Sequence, residues 1–314
     1  MHLGIWIIRF WKNNKIPRFH EKSQKIFRKS RGKFGKFIRI YKNKNKNMKI
    51  LERNELLNYL DDFLQIKQKN IKDYCPNGLQ VEGKNFIKKI IVGVTACQDL
   101  LNLAVARRAD AILVHHGYFW KGDKLQITGI QKKRLQTLLV NDVNLIAYHL
   151  PLDAHTQVGN NVQLAKILDL QILDAFGEYD LCLLGKLNST NSTRSLKNFI
   201  NDIKNKIHPN PIIVGDFNHF NFDDNFDEKI AWCSGAAQDF IELAAEQGAK
   251  IYISGEISER TTHLAKELGM IYIACGHHAT ERCGILALGE YLQNHFRQQN
   301  YDLTCEFIDV ANPI

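Results

Sequence analysis

From Leu51 onward, hydrophobic positions along the chain follow two alternating rhythms. In LERNELLNYLDDFL, Leu56, Leu57, Leu60, Phe63 and Leu64 recur at helical spacing, predicting an amphipathic helix with Asn54 as its cap. The stretch DYCPNGLQVEG, residues 73–83, interrupts this rhythm, because Pro76, Asn77 and Gly78 favour a tight turn. KIIVGVT, residues 89–95, then reads as a buried strand and is followed by a helix that runs through residues 104–108. ADAILV, residues 109–114, reads as a strand that ends in His115 and His116. Further strand-like runs end at His149 (VNLIAYH), before Gly255 and Glu256 (AKIYIS), and before Gly276, His277 and His278 (MIYIAC). Strands alternating with helices predict mostly parallel sheets covered by helices.

The same pattern occurs twice. Shifted by 140 positions, QDLLNLAVARRADAILVHH lies over QDFIELAAEQGAKIYISGE without a gap. Gln98, Asp99, Leu103, Ala104 and Ala109 then meet identical residues at 238, 239, 243, 244 and 249, and His116 meets Glu256. Five ungapped identities favour an internal duplication. The expected architecture is two related, sandwich-like α/β domains, residues 48–176 and 177–314, with exchange of elements between them allowed.

At 314 residues and 45% hydrophobic, the chain is long enough for two such cores. Its apolar runs stay far below the roughly 20 residues of a membrane-spanning helix, so no membrane partner is expected. Seven cysteines without a C-x-x-C spacing point to free thiols in a reducing compartment, and hence to a cytoplasmic location. The net charge of +9 is unevenly spread. Residues 1–48 hold fifteen Lys or Arg and one acid, Glu21, for a balance of +14, which leaves the body at −5. Three readings of the leader compete: a basic arm, a targeting peptide, or sequence upstream of a start at Met48. The favoured expectation is that residues 1–47 are disordered or precede the true start, because they lack a core-forming pattern.

Residues suited to chemistry collect where the predicted strands end, which is where α/β sheets bind ligands. In GHHATER, His277 and Glu281 stand four apart on one helical face, so a single metal ion can take both. In HLPLDAH, Pro151 is expected to keep the backbone extended while Asp153 offers a hard oxygen ligand. Together with His115 and His116 these make five donors, more than one tetrahedral ion uses, and they include a carboxylate able to bridge. The set suits two divalent ions per chain, zinc, manganese or iron. His149, His155 and His278 are candidates for orienting ligands or moving protons. Cys275 and Cys283 have no close second thiol and read as packed free cysteines.

Taken together, DYCPNGLQVEG, VTACQ, ADAILVHHGYFWKG, HLPLDAH, GNN, ISGE and GHHATER resemble the GTP cyclohydrolase 1 type 2 homologues, a dinuclear-metal family, over residues 48–314. The resemblance implies that His115, His116, Asp153, His277 and Glu281 bind two metal ions. It also implies that two-domain α/β subunits assemble into a hexameric ring. Two features depart from the family pattern: the basic leader and FNHFNFDDNFDE, residues 217–228, which reads as a surface loop. Paired cations lower the pKa of a shared water and polarise an electrophile. The expected activity is therefore hydrolysis of a nucleotide or related phosphate-bearing small molecule by a metal-bound hydroxide, cyclohydrolase-like by resemblance. GxxxxGK[ST], GxGxxG and G-x-S-x-G are all absent, which argues against a phosphate-cradling loop and a serine nucleophile. A second class stays open: a non-catalytic metal-binding scaffold or regulatory protein with protein or DNA partners. The acidic body weighs against DNA, since affinity for phosphate depends on Lys and Arg.

Overall fold

The computed structural model describes residues 48–188, 195–217 and 226–314. The basic leader and most of the Asn/Asp/Phe-rich segment therefore lie outside the described residues. The first stretch forms β1 (Leu51–Glu52), α1 (Arg53–Phe63), α2 (Ile66–Lys69), β2 (Gly78–Val81), β3 (Phe86–Ile87), β4 (Lys89–Thr95), α3 (Gln98–Ala106), β5 (Ala111–His116), α4 (Gly129–Val140), β6 (Asn144–Ala147), α5 (Leu150–Asp153) and α6 (Asn160–Leu168). Then follow β7 (Leu170–Phe176), β8 (Cys182–Leu187), α7 (Leu196–Lys206), β9 (Ile212–Gly215), β10 (Ile230–Cys233), α8 (Ile241–Glu246), β11 (Ile251–Ser254), α9 (Glu259–Glu267), β12 (Ile271–Ala274), α10 (His277–Gln298) and β13 (Thr304–Phe307).

Two main sheets result. One has the order β13-β4-β5-β6-β2, the other β7-β8-β10-β11-β12-β9. In the first, β13, β4, β5 and β6 run parallel and β2 is antiparallel. In the second, β10, β11 and β12 run parallel, while β7, β8 and β9 are antiparallel to their neighbours. Parallel order thus holds at the centre of each sheet; antiparallel strands close both edges of the second, whereas the first has antiparallel β2 at one edge and parallel β13 at the other. The sequence repeat has a topological counterpart, for the units β4-α3-β5 and β10-α8-β11 correspond. An antiparallel strand, β2 or β9, flanks the last parallel strand of each sheet, β6 or β12.

Alternation along the strands explains the burial. On β5, Ala111 and Leu113 join the core shared with α10, whereas Ile112 and Val114 join the opposite core against α3 and α4. Both faces are covered, which is why these strands read as unbroken apolar runs. The helices are exchanged between sheets. α6 follows first-sheet β6 but buries Leu164, Ala165 and Leu168 against Trp232, Ile251 and Ile253 of the second sheet. α10 follows second-sheet β12 but buries Ile285, Leu288 and Leu292 against Val92 and Leu113 of the first. Full burial of each such side chain stabilises by about 1.5–3 kcal/mol. Where the two helices meet, the Gly284 N–H donates to Asn160 Oδ1 at 2.8 Å.

Residues 49–314 form one compact unit in which β7, ahead of 176/177, belongs to the second sheet and β13, after it, to the first, an exchange of elements that the expectation allowed. Two expectations need correction. The first helix begins at Arg53, and Glu52, still paired with Phe86 in β1, occupies the cap position instead of Asn54. Pro151 does not extend the backbone; it sits in the first turn of α5, where its missing N–H costs nothing.

Candidate metal centre

Each imidazole at the centre is held through Nδ1. His115 points into the α10-facing core and is fully buried, with Nδ1 3.1 Å from the Tyr148 carbonyl oxygen. That bond places the ring proton on Nδ1 and leaves the Nε2 lone pair for a ligand. His116 is paired in register with Thr95 across β4 and β5, and its Nδ1 lies 3.1 Å from Thr95 Oγ1. Gly276, at φ +87°, turns the chain from β12 into α10. His277 and Glu281 then share a face of the first turn, with Nε2 and Oε2 3.2 Å apart, and His277 Nδ1 meets Glu256 Oε1 at 2.7 Å. Asp153 closes α5. Its Oδ1 accepts from Asn160 Nδ2 at 2.7 Å and Ser234 Oγ at 3.3 Å, and its Oδ2 lies 3.5 Å from His115 Nε2.

Glu281 joins these groups. Its Oε1 is 3.5 Å from His115 Nε2 and its Oε2 is 3.0 Å from His116 Nε2. Two donor sets result, His115–Asp153–Glu281 and His116–His277–Glu281, each with its ligand atoms within 4.8 Å of one another. His115 Nε2 and Glu281 Oε2 are buried without a hydrogen-bond partner. Such atoms ordinarily cost about 1–3 kcal/mol each, and a cation among the donors would satisfy both. Space is kept for one by Gly235: at its φ of +67°, a Cβ would stand 2.4 Å from Glu281 Oε1 and 3.3 Å from His277 Nε2. The residues present fit a metal group.

The electrostatics agree. Burial opposes charge on His115, but Asp153 and Glu281 outweigh it and push the ring up to about 9. Burial likewise opposes charge on His277, yet Glu281 and Glu256 raise it to about 9. At His116 burial wins, and the ring titrates below its ordinary range. Burial also works against a charged Glu281, but His115 and His116 hold its carboxyl well below the usual carboxylate value. Protons on two rings thus balance the buried carboxylates where no cation does.

The profile of the Duf34/NIF3 (NGG1p interacting factor 3) family matches residues 51–313. The chain belongs to the Duf34/NIF3 family. The GTP cyclohydrolase 1 type 2 homolog of Haemophilus influenzae is 45% identical over 268 residues, which is 85% of this chain and all of that protein. The protein of the same description from Escherichia coli K12 is 46% identical over 244 residues, 77% of this chain and 92% of that one. Among solved structures, protein ybgI, of unknown function, has a TM-score of 0.75 and 42% identity, covering 84% of this chain and 100% of that one. TTHA1606 from Thermus thermophilus has a TM-score of 0.70 and 31% identity over the same shares.

In this Duf34/NIF3 chain the other candidate histidines take different places. His149 stands at the rim, its ring 5.0 Å from that of His115 and 5.6 Å from that of His116, with Nδ1 2.7 Å from Asp73 Oδ1. His155 is not brought to the centre. Its Nε2 donates to the Phe63 carbonyl at 2.9 Å and its Nδ1 accepts from the Gln157 and Val158 N–H groups, so it closes a turn instead. His278 faces Asp309, 2.8 Å away. Cys275 and Cys283 are free thiols, as expected. The structure adds Thr95, Asp73, Asn160, Ser234, Gly235 and Glu256 to the centre's surroundings. Glu256 had a signal, since it overlies His116 in the repeat, whereas nothing in AWCSG marks Ser234 and Gly235. A cavity of about 230 Å³ opens beside His116 and His277, lined also by Thr95, Glu256, His278, Asn312 and Ile314. A larger one of about 350 Å³ touches Asp153 and His155 but none of the other centre residues.

Proposed function

We propose that the protein is a metal-dependent hydrolase that holds two divalent ions, zinc, manganese or iron, and acts on a nucleotide or a related phosphate-bearing small molecule. The observation that carries this reading is the position of Glu281, one carboxylate shared by two histidine-containing donor sets. His115, Asp153 and Glu281 would hold one ion, and His116, His277 and Glu281 the other. Divalent ions so bound supply Lewis acidity and activate water near neutral pH. The chain's own groups supply the rest. The Tyr148 carbonyl, Thr95 and Glu256 fix the orientation of the imidazoles, and such outer partners raise ligand basicity. His149, anchored on Asp73, is placed at the rim to hold or pass a proton.

The nucleotide class rests on the description of the relatives as GTP cyclohydrolase 1 type 2 homologs, and the 230 Å³ cavity suits a small molecule or one end of a larger one. Self-association, proposed as a hexameric ring on the family resemblance alone, has exposed apolar side chains available to it at Leu125, Ile130 and Val140, 93%, 68% and 71% accessible in the single chain. The net charge of −5 on the body disfavours a nucleic-acid partner. No helix of the described residues is long and apolar enough to cross a membrane.

The test is a panel of nucleotides and phosphoesters assayed with metal-loaded protein and with His115→Ala as control, alongside elemental analysis and light scattering. Close to two ions per chain and turnover lost in the control are expected. Turnover that survives in the control, or one ion or none in the wild type, would overturn the assignment. Two bound ions with no turnover across the panel would favour the metal-binding scaffold.

A further inference from the structure

The last residues of the chain take a course that the metal centre does not require. β13 is the edge strand of the first sheet, and the Ile308 N–H still donates to the Val92 carbonyl at 2.9 Å. From Asp309 the chain leaves the sheet and crosses to the start of α10. Asp309 Oδ1 lies 2.8 Å from His278 Nε2, and Oδ2 accepts from Arg282 Nη1 at 2.8 Å. Five residues on, the Ile314 carbonyl accepts from the His278 backbone N–H at 2.9 Å. Between these points Asn312 and Ile314 line the cavity whose other walls are Thr95, His116, Glu256, His277 and His278. The segment therefore spans from one sheet to the helix that carries His277 and Glu281, along the opening of the centre.

Its anchorage is slight. Residues 311–314 are exposed and Ile314 is 63% accessible, so within residues 309–314 only Val310, partly buried against the core between β4 and α3, adds apolar burial. Beyond Val310, what holds the segment is the Asp309 cluster and one backbone bond, and partly exposed ion pairs of this kind stabilise little. Pro313 biases Asn312 toward an extended conformation, and the Ile314 N–H donates to Asn312 Oδ1 at 3.0 Å. A lightly fastened segment beside an otherwise buried donor cluster is suited to lifting without disturbing the fold.

We propose that residues 309–314 form a displaceable strap over the mouth of the centre, latched by Asp309 onto His278 and Arg282, which must lift before metal ions or small ligands pass. What the strap guards rests on the metal reading above, so the experiment carries one arm that needs metal and one that does not. In the first, EDTA strips ions from metal-loaded wild type and Asp309→Ala, followed by elemental analysis over time; stripping several-fold faster in the variant is expected. In the second, metal-free protein is labelled with diethyl pyrocarbonate and carbethoxylation of His116 is followed by peptide mass spectrometry, with His155 as internal reference. Faster labelling of His116 with no change at His155 is expected in the variant. Equal rates in variant and wild type overturn the strap, and so does labelling that rises equally at His155, since access would then come from a loosened fold. If wild type holds no metal, the metal reading fails and the labelling arm alone decides the strap.

Discussion

Gly235→Ala separates the metal centre from the fold that carries it. The added methyl would stand 2.4 Å from Glu281 Oε1, whereas carbon and oxygen ordinarily approach to about 3.3–3.6 Å, so the carboxylate must retreat by about 1 Å. The contact is with the end of a side chain, which the fold absorbs, but Glu281 is only 3% exposed and sits between three imidazoles. Ligand positions tolerate roughly 0.2 Å, so a shift of this size removes Glu281 from both donor sets. Disturbing merely the outer partners of a ligand costs about 10–100-fold in affinity, so at least the upper figure applies, or about 2.7 kcal/mol. The backbone cost is separate. A residue with a Cβ at positive φ loses about 1–2 kcal/mol, equivalent to a drop of about 2–8 °C in melting temperature for a protein of this size. Gly248→Ala is the control: its φ of +77° imposes the same strain, but its methyl would meet only the end of Lys229 at 3.8 Å. Calorimetry of chelated proteins and titration with manganese or zinc should show both variants losing similar stability, and only Gly235→Ala losing metal. Wild-type metal affinity in Gly235→Ala would refute the placement of Glu281 at the centre.

Glu256→Gln removes the charge that orients His277, and a loss of about tenfold in metal affinity with little change in the melting temperature of the metal-free protein is expected from calorimetric titration. Unchanged affinity would make Glu256 a bystander. Chelation should lower the melting temperature, because a ligand at a hundredfold excess over its Kd stabilises the folded state by about 2.7 kcal/mol; identical melting after verified removal of metal would place the ions outside the folded core. The metal-free protein should also depend on pH in a defined direction. His115 and His277 are raised from 6.5 to about 9, so their contribution is complete below pH 6.5 and lost as pH rises to about 9. Glu281 is lowered from 4.5, so its contribution is present above pH 4.5 and lost as pH falls through its folded value. Urea midpoints should therefore peak between these limits in metal-free protein, and the alkaline decline should vanish on metal loading. A flat midpoint from pH 6.5 to 9 without metal would contradict the ring assignments.

What was legible in the sequence is what depends on local geometry. His277 and Glu281 share a face because a helix repeats every 3.6 residues, and His115 and His116 are marked by the strand that ends with them. The parallel units were legible as apolar runs alternating with helices. Residues whose role depends on neighbouring strands were not. Thr95 meets His116 through the register of β4 and β5, and Ser234 meets Asp153 across more than eighty positions of chain. His155 was a candidate for orienting ligands or moving protons, but the helical turn α5 and the bonds that follow it aim the ring at Phe63. That β7 joins the second sheet was not legible, because it is a largely exposed edge strand whose pattern says little about which sheet it joins.

Exchange between the halves was allowed for, but which helices exchange was not legible, and that exchange is what builds the site. An apolar face shows that a helix will be covered, never by which sheet. The face of the second sheet formed by Trp232 and Ile253 is covered by α6, with Ala279 of α10 at its margin. The later turns of α10, through Ile285, Leu288, Leu292 and Phe296, lie in the core of the first sheet. That burial, about 1.5–3 kcal/mol per side chain, is independent of any cation. The helix is therefore seated by its apolar face, and its first turn is delivered to the histidines of β5 whatever the state of the centre. Placing a carboxylate there, 3% exposed, would be costly if it stayed uncompensated, by several kcal/mol. The chain meets that cost with His115 and His116 on one side and His277 on the other, groups able to exchange protons for cations. A buried acid set among three imidazoles, each anchored elsewhere through Nδ1, and sharing a donor set with Asp153, is poorly explained as a structural ion pair. It is well explained as a ligand.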